Sequence, residues 1–320
     1  MHTDVILNDE PDLAVAAQRN ALVVRPGTAA DSPELFRVFS RTAFDLRLRL
    51  GQARPEDAPD TTDLDKEWSQ LRPLYDHLAQ TADHLWVAQR NNHIVGFARS
   101  MLRDGVRSLT EFWVLPQEQE AGLGRELLRR AFPADDARYR YIIATVDTRA
   151  QARYMKAGLY PRFPLYVFKR TPQIRRFDTD LDFKPMPETP VTAQIIDRLD
   201  QEILGYRRRP ERTWFRQNRH GYLYYRNGEP VGYGYAGKQS GPFALLDNRD
   251  FAAVLAHAET AVSLQGHSKV EFVTPTVNET AVDHLLAHGY RLQPFFCQLM
   301  TSRPFGRFDH YVATSPLFAL

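Results

Sequence analysis

The sequence predicts an α/β fold of the mixed-sheet (α+β) type laid down twice in tandem, and three observations carry that expectation. Strand-like and helix-like segments alternate along the chain. Residues 86–100 (WVAQRNNHIVGFARS) align without gaps on residues 222–236 (YLYYRNGEPVGYGYA) at an offset of 136. Ala150 and Gly158 fall on Ala281 and Gly289 at an offset of 131, and Arg25-Pro26 on Lys184-Pro185 at 159. Offsets that keep one element order mark a duplicated domain, whereas a solenoid would repeat at short period.

The elements follow in order. Residues 21–24 form a short apolar run closed by Arg25-Pro26-Gly27, a first strand, and Asp31-Ser32-Pro33 opens an amphipathic helix to about Thr42. Leu64, Trp68, Leu71, Tyr75 and Leu78 recur at three- and four-residue spacing, a second helix that Pro73 is expected to bend. The polar turn Arg90-Asn91-Asn92-His93 joins residues 85–89 and 94–100 in a hairpin, and a third strand spans 108–115. Pro116 ends it. A polar loop then leads to Gly122-Leu123-Gly124 and a helix over 125–132. A strand over 141–146 feeds a helix over 149–157 that Gly158 caps, and strands resume through Lys169.

The stretch 171–190 holds Pro172, Pro185, Pro187 and Pro190 among charges, which places the domain boundary there. The reading is an extension over 1–20, a first domain over 21–172 and a second over 173–320. The 159 and 136 offsets leave 23 extra residues around the first two helices of the first copy. The 136 and 131 offsets leave 5 residues missing from the second copy near the glycine loop.

A chain of 320 residues has room for two cores, and 43% hydrophobic with 25% charged residues is the balance of a folded globular protein. The net charge of +2, from 41 basic and 39 acidic residues, is too even for nucleic acid as main partner. The basic run from Arg207 to Arg212 reads as a solvated surface loop. Cys297 is the only cysteine, so no intrachain disulfide and no cysteine-based metal site can form, and the histidines lack paired ligand spacing. No metal is expected. No signal peptide and no membrane-length apolar run are visible, which suits a cytoplasmic protein.

The chemistry is concentrated after the third strand. In Gln119-Glu120-Ala121-Gly122-Leu123-Gly124 the backbone N–H groups can turn outward together at a helix start, a nest for phosphate. Neither the P-loop ending nor the three-glycine dinucleotide spacing is present. Residues 112–130 (FWVLPQEQEAGLGRELLRR) resemble the Q/R-X-X-G-X-G/A signature of the GNAT N-acetyltransferases, and residues 148–159 (TRAQARYMKAGL) are similar to the family's second signature. Leu159 in place of Phe and Arg149 in place of Asn are mild departures.

The resemblance implies two GNAT folds, the first binding acetyl-CoA and the second degenerate. It implies that Gln119, Glu120, Ala121, Gly122, Leu123, Gly124 and Arg125 hold the pyrophosphate, with Arg149 beside the cofactor. Backbone groups of Trp113 and Val114 would meet the pantetheine arm. Tyr154 matches the family's general acid, and its competing role is packing of the helix on the sheet. Glu111 matches a carboxylate that serves as base, with a water relay as competitor and Asp147 and Glu67 as weaker candidates. In the second copy Leu285 stands for Tyr154, and Asp247-Asn248-Arg249-Asp250 replaces the glycines. The implied activity is acetyl transfer to a primary amine of a small molecule or peptide; the alternative is a non-catalytic acyl-CoA sensor or scaffold. A homodimer agrees with base rates alone.

Overall fold

The computed structural model describes residues 22–119, 122–134, 136–237, 239–314, 318 and 320. The expected 1–20 extension lies outside them, as do Glu120 and Ala121 of the loop. The chain divides into two compact units, one of Met1–Ser100 with Glu111–Pro133 and one of Met101–Thr110 with Ala134–Leu320. These are units of packing, and they cut the chain elsewhere than the two sequence copies do.

In the first unit the short strand β1 (Val23–Pro26) pairs antiparallel with β2 (His84–Arg90), which pairs with β3 (His93–Arg103). Asn91 and Asn92 both have positive φ, 50° and 64°, the two-residue hairpin turn that suits the twist of the strands. Helix α1 (Ser32–Arg49) starts where Asp31 accepts from the Thr28 amide at 2.8 Å and pairs with Arg25, and it runs well beyond the expected end at Thr42. Helix α2 (Thr61–Thr81) is N-capped by Asp60, which accepts from the Asp63 amide, and it continues past Pro73 as one helix. Its Leu74, Tyr75 and Leu78 are buried. The end of β4 (Val106–Val114) lies beside β3, with the Leu115 amide donating to Val95 O at 2.9 Å. Helix α3 (Leu123–Ala131) follows.

The second unit holds β5 (Tyr139–Ala144), α4 (Thr148–Lys156), β6 (Tyr160–Arg170), β7 (Asp182–Pro185), α5 (Pro190–Ile203), α6 (Arg209–Asn218), β8 (His220–Arg226) and β9 (Glu229–Ala236). It continues with β10 (Phe243–Leu245), α7 (Phe251–Leu264), β11 (Val270–Pro275), α8 (Glu279–Ala287), β12 (Arg291–Thr301) and β13 (Tyr311–Val312). One sheet has the order β13-β10-β9-β8-β7; another run of strands has the order β5-β12-β6-β11. A core of Phe243, Leu245, Phe251, Val254, Leu255, Val270, Phe272 and Leu285 holds these layers together.

Duplication is visible residue by residue. The hairpin β2–β3 has a register shift after Ala88↔Gly96, and β8–β9 has the same shift after Tyr224↔Gly232, 136 residues on. The elements β5, α4 and β6 recur as β11, α8 and β12 at a constant offset of 131, as the sequence alignment requires. The copies exchange strands. β12 of the second copy pairs with both β5 and β6 of the first, while β6 also pairs with β11. The contacts Tyr166↔Phe296 and Leu165↔Cys297 map onto each other under the 131 offset, so a local pseudo-twofold passes between them.

The basic run over 207–212 is not the solvated loop expected. Arg208 is 2% exposed and pairs with buried Asp200 at 3.0 Å, its Nη1 donating to the Tyr311 hydroxyl. Arg207 pairs with Asp104, and Arg209 and Arg212 both pair with Asp197. Aspartates outside the run, two on the preceding helix and Asp104 far along the chain, neutralise it, which a count within the run does not register. Among the described residues no helix is long and apolar enough to cross a membrane.

Candidate functional site

In the first unit, β4 runs straight into the phosphate-loop candidate. Its parallel ladder with β5 covers Val106–Leu109, after which β4 continues to Val114. Gly96 on β3 lets the strands approach there: a Cβ at that position would lie 3.1 Å from the Trp113 carbonyl oxygen. Pro116–Glu118 form a single 3-10 turn, tied to β2 by Glu118 accepting from Arg90 at 3.1 Å. The Gln119 side-chain amide donates to Val114 O at 2.9 Å, so this carbonyl already has a partner and the loop is clamped to the strand end.

Gly122 is the N-cap of α3 with φ +76°, a left-handed conformation that L side chains adopt only with strain. Its carbonyl accepts from the amides of Arg125 and Glu126, which closes the first turn. The first-turn amides of Leu123 and Gly124 have no intrahelical acceptor by helix geometry and lie at the positive end of the helix dipole. The Arg125 guanidinium curls back to 3.6 Å from where a Gly122 Cβ would sit, adding a cation to the loop.

Tyr154 and Arg149 belong to the second unit, on α4. Asp147 caps that helix, accepting from the Arg149 amide at 3.0 Å, and the exposed Arg149 guanidinium lies 3.6 Å from the same carboxylate. Tyr154 is 5% exposed on the inner face of α4, and burial together with the Asp147 charge pushes its phenol well above the ordinary value. It therefore keeps its proton at neutral pH. The packing role weighed for Tyr154 is met in the second copy by Leu285, also fully buried. Packing alone does not require the hydroxyl.

Glu111 returns to the first unit and to a cluster that sequence reasoning missed. Its side chain, 12% exposed, pairs at 3.1 Å with Arg99, which is 0% exposed on β3. The Arg99 guanidinium lies 5.5 Å from the centroid of the Tyr75 ring. Burial raises the Glu111 carboxyl above the usual carboxylate range, opposed by the attraction of Arg99. Removing one partner would strand a buried charge at a cost of about 3–5 kcal/mol. The Arg99 nitrogens, Glu111 Oε2 and the Tyr75 hydroxyl have no well-directed hydrogen bond in the structure, an unusual concentration for buried polar atoms. A lone arginine in an otherwise apolar run, Ile94-Val95-Gly96-Phe97-Ala98-Arg99, was the available signal. Glu67, by contrast, is exposed on α2, with the Ser40 hydroxyl 3.5 Å away.

In the second copy the equivalent loop is a 3-10 turn, Asn248–Asp250, N-capped by Asp247. The Asp247 carboxylate accepts from the Arg249 amide and pairs with the Arg249 side chain, which pulls its pKa to about 2. The turn's amide at Arg249 is thus taken by a carboxylate of the chain itself. Burial pushes the Cys297 thiol up to about 12, so it is not a thiolate nucleophile at neutral pH. Among the described residues no group of three or more His, Cys, Asp or Glu is arranged to hold a metal ion.

Residues 81–163 match the family described as an acetyltransferase (GNAT) domain. No curated protein matches the chain. Among solved structures it is similar to a protein of Pyrococcus horikoshii assigned as an acetyltransferase, at 15% identity and TM-score 0.65, covering 97% of this chain and 96% of that one. A GCN5-related N-acetyltransferase from Sphaerobacter thermophilus matches at 15% identity and TM-score 0.57, over 89% and 96% of the two chains. The glucosamine N-acetyltransferase region of a fungal multi-domain GH3 β-N-acetylglucosaminidase matches at 13% and 0.58, over 88% of this chain and 38% of that one. At such identities the likeness is one of fold, and in the first two it extends over both copies.

Proposed function

We propose that this chain, which carries a GNAT acetyltransferase domain in the first of two tandem copies of that fold, transfers acetyl from acetyl-CoA to a primary amine. The observation that carries the reading is the loop at Gly122, where a left-handed N-cap, open first-turn amides and the Arg125 guanidinium suit a pyrophosphate. The part of β4 beyond its ladder with β5, including Trp113, is read as the dock for the pantetheine arm.

Direct transfer needs two proton events. An alkylammonium with pKa about 10.4 must lose a proton before its nitrogen can attack the thioester carbonyl, and the departing thiolate must gain one. Glu111 is assigned the first task, directly or through water: a partly desolvated carboxylate is a stronger base than an exposed one, and Arg99 holds it in place. Tyr154, protonated at neutral pH, is assigned the second. Residues 21–172 are read as the working copy and 173–320 as a copy without a cofactor site, in a cytoplasmic protein whose acceptor is a small molecule or peptide.

Isothermal titration of acetyl-CoA into the full chain is the test. One site per chain, lost in Gly122→Glu, is the expected result. No binding reduces the reading to a shared fold, and binding without turnover of any amine favours a sensor. Two sites would overturn the assignment of the second copy.

A further inference from the structure

The face of the first unit that carries Glu111 also carries an aromatic wall. Glu111 and Trp113 alternate with Phe112 on β4 and so project to the same side. Trp113 meets Phe39 of α1 edge-on at 5.1 Å, and Phe36 of α1 meets Trp68 and Tyr75 of α2 at 5.4 and 6.2 Å. Phe36 and Tyr75 are buried, whereas Phe39, Trp68 and Trp113 are only half-buried and offer ring surface. Glu67, exposed, neighbours Trp68 in the chain and lies on the α1–α2 side through Ser40.

Two further facts bear on what this face recognises. The α2 helix spans 21 residues and its counterpart α6 spans 10, so at the 136 offset the first turns of α2, including Glu67 and Trp68, have no equivalent in the second copy. These residues belong to the insertion that distinguishes the copies. The charges also differ in burial: Arg99 is fully buried and pairs with Glu111, whereas Glu67 is exposed and, among the described residues, forms no ion pair.

We propose that this face takes an acceptor with one amine on a flat apolar body, an aromatic or arylalkyl monoamine, stacked against Trp68 and Trp113. The inference rests on the acetyltransferase reading above. One uncompensated carboxylate suits a monocation. A diamine would bring a second ammonium against the aromatic wall, and an amino acid would bring a carboxylate to a face whose buried cation, Arg99, is already paired with Glu111. Aromatic rings hold an ammonium-bearing ring by stacking and cation–π attraction.

The test uses the full-length protein, acetyl-CoA and three acceptors that separate the terms: 2-phenylethylamine, L-phenylalanine and putrescine. The expected result is kcat/KM for 2-phenylethylamine at least about tenfold above the other two. Trp68→Ala should raise its KM about tenfold while acetyl-CoA affinity by calorimetry stays unchanged, with Trp68→Phe largely restoring KM. Preference for putrescine or phenylalanine, an unaltered KM in Trp68→Ala, or cofactor binding with no turnover of 2-phenylethylamine would each overturn the proposal. Absence of acetyl-CoA binding would instead defeat the underlying acetyltransferase reading.

Discussion

The two copies share a scaffold down to the position of a β-bulge, yet differ at each place where chemistry is assigned. Gly122 opens α3 in a left-handed conformation, whereas in the second copy Asp247 caps a 3-10 turn that leads into α7 and takes the Arg249 amide with its own carboxylate. Tyr154 and Leu285 are both buried at one position of one helix, and only the first carries a hydroxyl. The paired helices ahead of the hairpin are long in one copy and short in the other. The elements in register are those that packing requires, so the differences separate the site from its support.

The largest expected effect comes from removing the second copy. With residues 173–320 deleted, β5 loses β12 and β6 loses both β12 and β11, which exposes backbone edges and the buried faces of Leu165 and Phe168. Residues 21–172 alone should show no cooperative thermal transition; a sharp one would show the exchanged strands to be dispensable. Next is Gly122→Glu, which adds strain at φ +76° and a negative charge facing phosphate, and should abolish acetyl-CoA binding by calorimetry. Unchanged affinity would remove the loop assignment and with it the contrast with Asp247.

Glu111→Gln should lower kcat/KM by about 10²–10⁴-fold. The pH profile gives the sign: the base works ionised, so wild-type activity should fall as pH drops through a value above the usual carboxylate range, and the variant should lack that limb. A variant that kept the limb would point to another base. Tyr154→Phe is the mildest change, expected to lower kcat by about 10²-fold with cofactor affinity and thermal stability retained, since Leu285 shows that the position packs without a hydroxyl. Normal kcat would leave Tyr154 a packing residue in both copies.

Much of this molecule was written locally. Asn91-Asn92 turned the hairpin because both residues tolerate positive φ, Gly158 and Gly289 closed equivalent helices, and Gly122 marked a helix start. Alternation and helical spacing placed the strands and helices in order, because periodicity and turn chemistry act between near neighbours, and three offsets that keep one element order revealed the duplication. The exchange of β6 and β12, the pairing of Arg99 with Glu111 under Tyr75, and the burial of Arg208 against Asp200 were decided by the tertiary structure. A charge reads as surface in sequence until its partner is known. Which strand completes a sheet, and which carboxylate answers a buried guanidinium, depends on how separate elements pack, and local pattern carries no record of that.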